Sequence, residues 1–476
     1  MTIQNQTDLP NKRLRDKEMT NNFFRVSTPR KEPLQTTRYT KLGLKDNPFP
    51  KLVGIQVGSP DQRTNGTIYE PKIRAKEQAN FDSIFVPHSD KPRKRLAFIM
   101  DYATHRGRGI GKSAFLYHQC KRTESDWGEK VSDGAYVLFA SYIQPQAQTR
   151  KFWAFSKLIA TTLNEQEIIA KAIWRIRYLY GGLPTDILSK VDDPKKTIGN
   201  DEWLKTYNID LSYKMRNVLV TEGRLDADSA VQLGFFGNDA SKLDETFFSR
   251  TEDTYWRKHG NEFTFNTLVK LFRLAQIDYG LLLIDEVEKI VSYQNKSERR
   301  EFADSLRYFI FDGNCESARS SFYSILLTIH PYVQELLLPH WESSGIDRFA
   351  ALSKELAENY TIYFRPIEKE LAEDLVKVYL DHYRLEDGGN FNKLFPFDQD
   401  AIMEAMVYTK GVPGPFLTFL HNLVEFAANE GYENISRKLV TYFVETSKAP
   451  KPSDFEEDEK ISKAYDAPTP LGVECE

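Results

Sequence analysis

Residues 106–113 read Arg-Gly-Arg-Gly-Ile-Gly-Lys-Ser, and the run from Gly109 to Ser113 is the core of a phosphate-binding P-loop. It follows an apolar stretch, Leu96 to Met100, and precedes a helical stretch opening Ala114-Phe115-Leu116. Strand, glycine loop and helix together give such a motif its chemistry. The glycines let backbone N–H groups turn toward a polyphosphate, and the helix N-terminus adds a favourable dipole. The expected cradle is Arg108, Gly109, Ile110, Gly111, Lys112, Ser113 and Ala114. Lys112 is expected to reach the β- and γ-phosphates, and the Ser113 hydroxyl to ligate Mg2+. One position departs from the usual G-x-x-x-x-G-K-S pattern: its first glycine is Arg106 here.

The second half of the site lies in residues 279–286, Tyr-Gly-Leu-Leu-Leu-Ile-Asp-Glu. Uninterrupted apolar residues fit a strand buried on both faces, as in a parallel sheet covered by helices. Ligands in such sheets sit at the carboxyl ends of the strands, where Asp285 and Glu286 fall. Asp285 is expected to hold Mg2+ through water, and Glu286 to polarise the attacking water. Two acids after a strand can also mark an ordinary helix N-terminus, where they complement the dipole. Their pairing with the upstream glycine loop, in the right order, favours nucleotide chemistry.

Composition bounds the rest. At about 150 residues per domain, 476 residues suggest two or three units. Hydrophobic residues at 41% and charged ones at 28% describe ordinary globular material. No apolar run approaches the ~18 residues of a membrane helix, and the polar N-terminus lacks a signal-peptide core. Cys120, Cys315 and Cys475 are too far apart for a disulfide framework or a zinc site, so a reducing cytoplasm is expected. Residues 1–41 form a basic polar arm with Lys12, Arg13, Arg15 and Lys17; residues 448–476 form an acidic tail. Both offer little apolar area to offset chain entropy and are expected to be flexible. The arm suits nucleic acid or an acidic partner, or simple solubilisation.

Between the tails, strands are expected at Leu96–Tyr102, Ala135–Ala140, 279–284, Phe322–Thr328 and Tyr360–Phe364. Helical spacing covers Phe152–Leu163, Ile168–Tyr180 and Glu298–Ile310. The segment from about 165 to 262 reads as a helical insertion. Its aromatics Trp203, Phe235, Phe236, Phe247, Phe248 and Trp256 are expected to form a small core of their own rather than a base-stacking surface. Thr328, with His330 beyond it, is placed to contact a γ-phosphate or orient water, although a strand-terminal Thr also serves as a turn or cap residue. Arg348 precedes the last strand. It either reaches a neighbouring subunit's γ-phosphate or makes a surface salt bridge. From Pro366 onward the pattern is helical: Ile367–Arg384, Asp398–Tyr408, Pro413–Glu430 and Ile435–Ser447.

With these pieces in order, the chain resembles the AAA+ superfamily of ATPases, in the branch of origin-recognition-like and transposition-regulator proteins. The resemblance implies an α/β fold: a parallel-sheet P-loop core over residues 42–365, with the insertion, and a helical lid domain over 366–447. It implies Gly109–Ser113 as the phosphate loop, Asp285 and Glu286 as the acidic pair, Thr328 as the sensor on the neighbouring strand, and Arg348 as an arginine finger. The entry segment Asn47-Pro48-Phe49 and the run Gly411-Val412-Pro413-Gly414-Pro415 also look like those ATPases. Relatives carry a lid arginine where this chain has Pro415, a role open to Lys410 or Arg437. Residues 279–288 with Arg299-Arg300-Glu301 are similar, more weakly, to ATP-binding proteins of bacterial phage-exclusion (BREX-type) islands. ATP and Mg2+ are the implied ligands. Homo-oligomerisation on ATP binding is expected, with duplex DNA or a protein carrying the output chemistry as partner, in defence, transposition or replication. Two other readings stay open: a STAND-like signalling ATPase acting without DNA, and a structural subunit that binds ATP with little hydrolysis.

Overall fold

The computed structural model describes residues 37–51, 54–86, 93–101, 109–181, 212–237, 239–249, 253–353, 359–385 and 392–446. Five strands build the core: β1 (Leu96–Asp101), β2 (Leu138–Ile143), β3 (Tyr279–Ile284), β4 (Tyr323–Ile329) and β5 (Thr361–Phe364). They form one sheet in the order β2-β3-β4-β1-β5, and every pairing is parallel. The fold is therefore α/β, with a parallel-sheet P-loop core and extensive helical regions. Parallel strands joined by crossovers are buried on both faces, which is why β1 and β3 read as continuous apolar runs. Along β1, Leu96, Phe98 and Met100 enter one hydrophobic cluster, while Ala97 and Ile99 enter the cluster on the opposite face. This alternation is the two-residue period of a strand working inside a fully apolar segment.

The second strand lies later than its sequence pattern suggests, over Leu138–Ile143 rather than 135–140. Val137 is held just outside it by a backbone N–H bond to the Asp278 carboxylate at 2.8 Å. Ser141 and Tyr142, whose polar atoms disguise the strand, are buried within it. The Ser141 hydroxyl is satisfied by the Gln166 side chain at 2.8 Å. Strand order then brings the carboxyl ends of β1, β3 and β4 side by side, with Ile99 in register with Thr328 and Ile284 with Leu327.

Four helices frame the loops that matter: α1 (Ala75–Phe85), α2 (Lys112–Glu124), α3 (Phe152–Glu165) and α4 (Ile168–Ile176). After β3 come α5 (Lys296–Arg307), opened by a capping box between Asn295 and Glu298, and α6 (Pro331–Ser344) after β4. The aromatics expected to form a separate core do not. Phe247, Phe248 and Trp256 belong to the same cluster as Phe98, Phe139 and Phe155, and Phe236 packs against it. Inserted helices bury their apolar faces against the existing sheet layer, since a small isolated core would enclose too little area. Trp203 lies outside the described residues.

Downstream of β5, α7 (Lys369–Tyr383), α8 (Gln399–Tyr408), α9 (Pro413–Glu430) and α10 (Arg437–Glu445) surround a second cluster. Leu42, Leu44 and Phe49 of the entry segment are buried in it. Asn47, also buried, donates to the His421 carbonyl at 3.0 Å and to Glu425 at 2.9 Å on α9. No helix among the described residues is long and apolar enough to cross a membrane.

Candidate active site

The glycine loop turns as its composition requires. Gly109 and Gly111 have φ of 82° and 96°, left-handed values that favour glycine. Gly111 caps α2, and its carbonyl accepts the Phe115 N–H at 3.0 Å to start the helix. Two neighbours hold the loop backbone from outside. The buried Arg74 guanidinium donates to the Ile110 carbonyl at 2.6 Å, to the Arg365 carbonyl at 2.7 Å and to Glu77 at 3.0 Å. From the start of α9, the Gly414 N–H donates to the Gly109 carbonyl at 2.7 Å. A Cβ on Gly414 would stand 2.7 Å from Gly109 Cα, so only glycine permits this approach. Arg106 and Arg108 lie outside the described residues.

Lys112 opens α2, and its ammonium meets Asp101 at the end of β1, with Nζ 3.0 and 2.8 Å from the two carboxylate oxygens. The Asp101 side chain is fully buried, and Lys112 retains 14% exposure. Burial pushes the Asp101 carboxyl above its ordinary range, while the Lys112 charge pulls against that shift.

At the end of β3, Asp285 is buried and enclosed by donors. Tyr142 O–H donates to its Oδ2 at 2.8 Å. Its Oδ1 accepts Thr328 Oγ1–H at 3.0 Å and the Glu286 N–H at 3.0 Å. Thr328 Oγ1 also accepts the Glu286 N–H at 2.8 Å, so one hydroxyl joins the strand-β4 residue to both acids. Glu286 has a φ of 50°, a left-handed value uncommon outside glycine, which turns its side chain away from the strand path. Its half-exposed carboxylate pairs with Lys289. Burial, and then the Asp285 charge, drive the Tyr142 hydroxyl far above its ordinary range, so it stays protonated.

Lys112, Ser113, Asp285, Glu286 and Thr328 thus stand at the adjoining ends of β1, β3 and β4 and the start of α2. His330 caps α6 through its Nδ1, which accepts the Tyr332 N–H at 3.3 Å. Arg348 is different: it is exposed on a short turn after α6 and makes no side-chain hydrogen bond or ion pair among the described residues. Of the two candidates for the lid arginine, Arg437 pairs with Glu404 at 3.1 Å. Pro415 itself sits against the loop, with its Cδ 3.0 Å from where a Cβ on Gly109 would be. Asn47-Pro48-Phe49 docks on lid helices, with the Phe49 ring 5.8 Å from Tyr379 and 5.9 Å from Phe397. Asp101, Tyr142 and Arg74 are the participants that sequence reading missed. An acid closing the strand before the glycine loop is the one signal that was available for Asp101.

Comparison with known proteins adds a distant likeness. No protein-family model and no curated protein matches the chain. Among solved structures, the chain is similar to the Aeropyrum pernix ORC2 protein, whose structure is of ADPNP-ADP complexes. That similarity has 10% sequence identity and a TM-score of 0.38, and covers 88% of this chain and 71% of that one. At that level the functional argument rests on the residues themselves.

Proposed function

We propose that the chain is an AAA+ type ATPase that binds ATP with Mg2+ and hydrolyses it to drive assembly or switching. The observation that carries this is the convergence of Lys112, Ser113, Asp285, Glu286 and Thr328 at the carboxyl edge of a parallel sheet. A glycine loop, a cation, a hydroxyl and two acids in that setting supply each part that phosphoryl transfer to water requires.

The loop N–H groups and the start of α2 receive the phosphates, and Lys112 exchanges Asp101 for them. No group of three or more His, Cys, Asp or Glu suited to a metal occurs among the described residues. The donors at the site are a serine hydroxyl and one buried carboxylate, which suits a hard cation that takes its remaining ligands from phosphate and water. Ser113 and Asp285 would hold Mg2+, which supplies charge neutralisation on the phosphate oxygens. Glu286 accepts a proton from the attacking water, and Thr328 fixes the Glu286 backbone and the Asp285 carboxylate. A bond forms from the water oxygen to the γ-phosphorus as the bond from that phosphorus to the β–γ bridging oxygen breaks, and ADP and inorganic phosphate leave.

Exposed, and without an ion pair among the described residues, Arg348 is available to a neighbouring copy's γ-phosphate, so we assign it the trans role in an ATP-dependent oligomer. The output is DNA or a DNA-processing protein. Turnover of the full chain with and without duplex DNA, for the unsubstituted protein and Arg348→Ala, tests both parts. DNA stimulation lost in the variant, with ATP affinity intact, supports them. DNA-indifferent turnover replaces DNA with a protein partner, and equal activity of the variant removes the trans role.

A second reading has support in one place. Gly414 and Pro415 stand against the loop where relatives carry an arginine, and Glu286 is paired with Lys289. Both features favour slow turnover and long ATP retention.

A further inference from the structure

We infer that Tyr142 is a positioning residue for the metal site: it fixes the Asp285 carboxylate in the orientation that Mg2+ requires. The inference rests on the ATP and Mg2+ reading above and extends it to a residue outside either motif.

The hydrogen-bond count leaves one arrangement. The Tyr142 oxygen has one proton to give and two lone pairs to receive. A carboxylate only accepts, so the Tyr142 proton goes to Asp285 Oδ2, at 2.8 Å. The Gln144 amide N–H donates to the Tyr142 oxygen at 2.7 Å and takes one lone pair. The chain therefore runs from the Gln144 amide N–H to Tyr142 O–H to Asp285.

Its consequence is directional: Asp285 is fixed from both sides, Tyr142 on Oδ2 and Thr328 with the Glu286 N–H on Oδ1. The ring is locked in turn: Tyr142 is 3% exposed and meets Tyr117 edge-on, with centroids 5.9 Å apart. Outer groups that orient metal ligands in this way typically contribute about 10- to 100-fold to metal affinity.

Tyr142→Phe keeps the ring and removes only the hydroxyl. The test is binding of a fluorescent ATP analogue to the full chain in MgCl2 and in EDTA, with melting temperature measured alongside. The expected result is about a tenfold loss of the Mg2+-dependent gain in affinity, with metal-free affinity unchanged. In an Asp285→Ala background the tyrosine substitution should lose much of its effect, since its target is gone. Unchanged Mg2+ dependence, or an equal loss with and without Mg2+, overturns the inference. Should Tyr142→Phe fail to fold, Gln144→Ala carries the test: a smaller loss in the same direction supports the inference, and wild-type behaviour overturns it. If the unsubstituted chain binds no ATP, the nucleotide reading itself falls. Intact binding with wild-type Mg2+ dependence in the variants defeats the Tyr142 role alone.

Discussion

Lys112 and Asp101 form a buried ion pair at the phosphate loop, with Nζ 2.8 Å from Oδ2 and the carboxylate fully enclosed. The pair satisfies two charges that burial would otherwise penalise, and it competes with any phosphate that needs Lys112. Asp101→Asn should therefore lower the stability of the nucleotide-free chain by up to about 3 kcal/mol, the lower end for breaking a buried pair. It should also strengthen ATP binding, because the ligand no longer displaces a carboxylate. Thermal melts with and without ATP, read beside titration calorimetry, check both signs.

The contact of the lid with the loop gives a second test. Gly414→Ala places a methyl 2.7 Å from Gly109 Cα and 2.9 Å from its carbonyl oxygen, both backbone atoms that cannot swing aside. Overpacking of this kind costs about 1–3 kcal/mol. Denaturant unfolding should report that loss, and hydrogen exchange should show faster opening at the first turn of α9.

Thr328→Val is close to isosteric but removes the hydroxyl shared by Asp285 and the Glu286 N–H. A buried polar group losing a partner costs about 1–3 kcal/mol. If about 1.4 kcal/mol of this falls on the transition state, turnover drops about tenfold. ATP affinity should change little, since Thr328 acts on the two acids rather than on the phosphate loop. Steady-state kinetics separate the two effects.

A pH effect follows from His118 on α2, stacked on Tyr69 with centroids 4.2 Å apart. Burial first, then the Arg122 charge, pull its pKa down from 6.5 to about 4. The unfolded chain therefore takes up this proton before the folded one does, and stability falls as pH drops from about 6.5 toward 4. Above that window the group contributes no slope. His118→Phe should flatten this component of the stability profile, measured by denaturant unfolding across the range.

The parts legible in sequence are those whose chemistry is contiguous. Gly109 to Ser113 and Asp285-Glu286 each combine a glycine turn or an apolar strand with its reactive residues in one stretch, and Pro413–Glu430 carries a Pro at its start and a Gly just past its end. Tyr142 and Arg74 are brought to the site only through strand order and packing, which no local pattern encodes. Tyr142 was hidden further because Ser141 and Tyr142 interrupt the apolar run that marks β2. Phe247, Phe248 and Trp256 show a related limit: their composition signals burial, but only the tertiary arrangement shows which core they join.

The central claim is that Lys112, Asp285 and Glu286 form one ATP-hydrolysing site. Mg2+-dependent ATP turnover of the full chain, beside Glu286→Gln with ATP affinity measured on the same preparations, tests it most directly. The account predicts that the substitution leaves affinity intact and lowers turnover by about a hundredfold or more, as for loss of a general base. Undiminished turnover in the variant would contradict it.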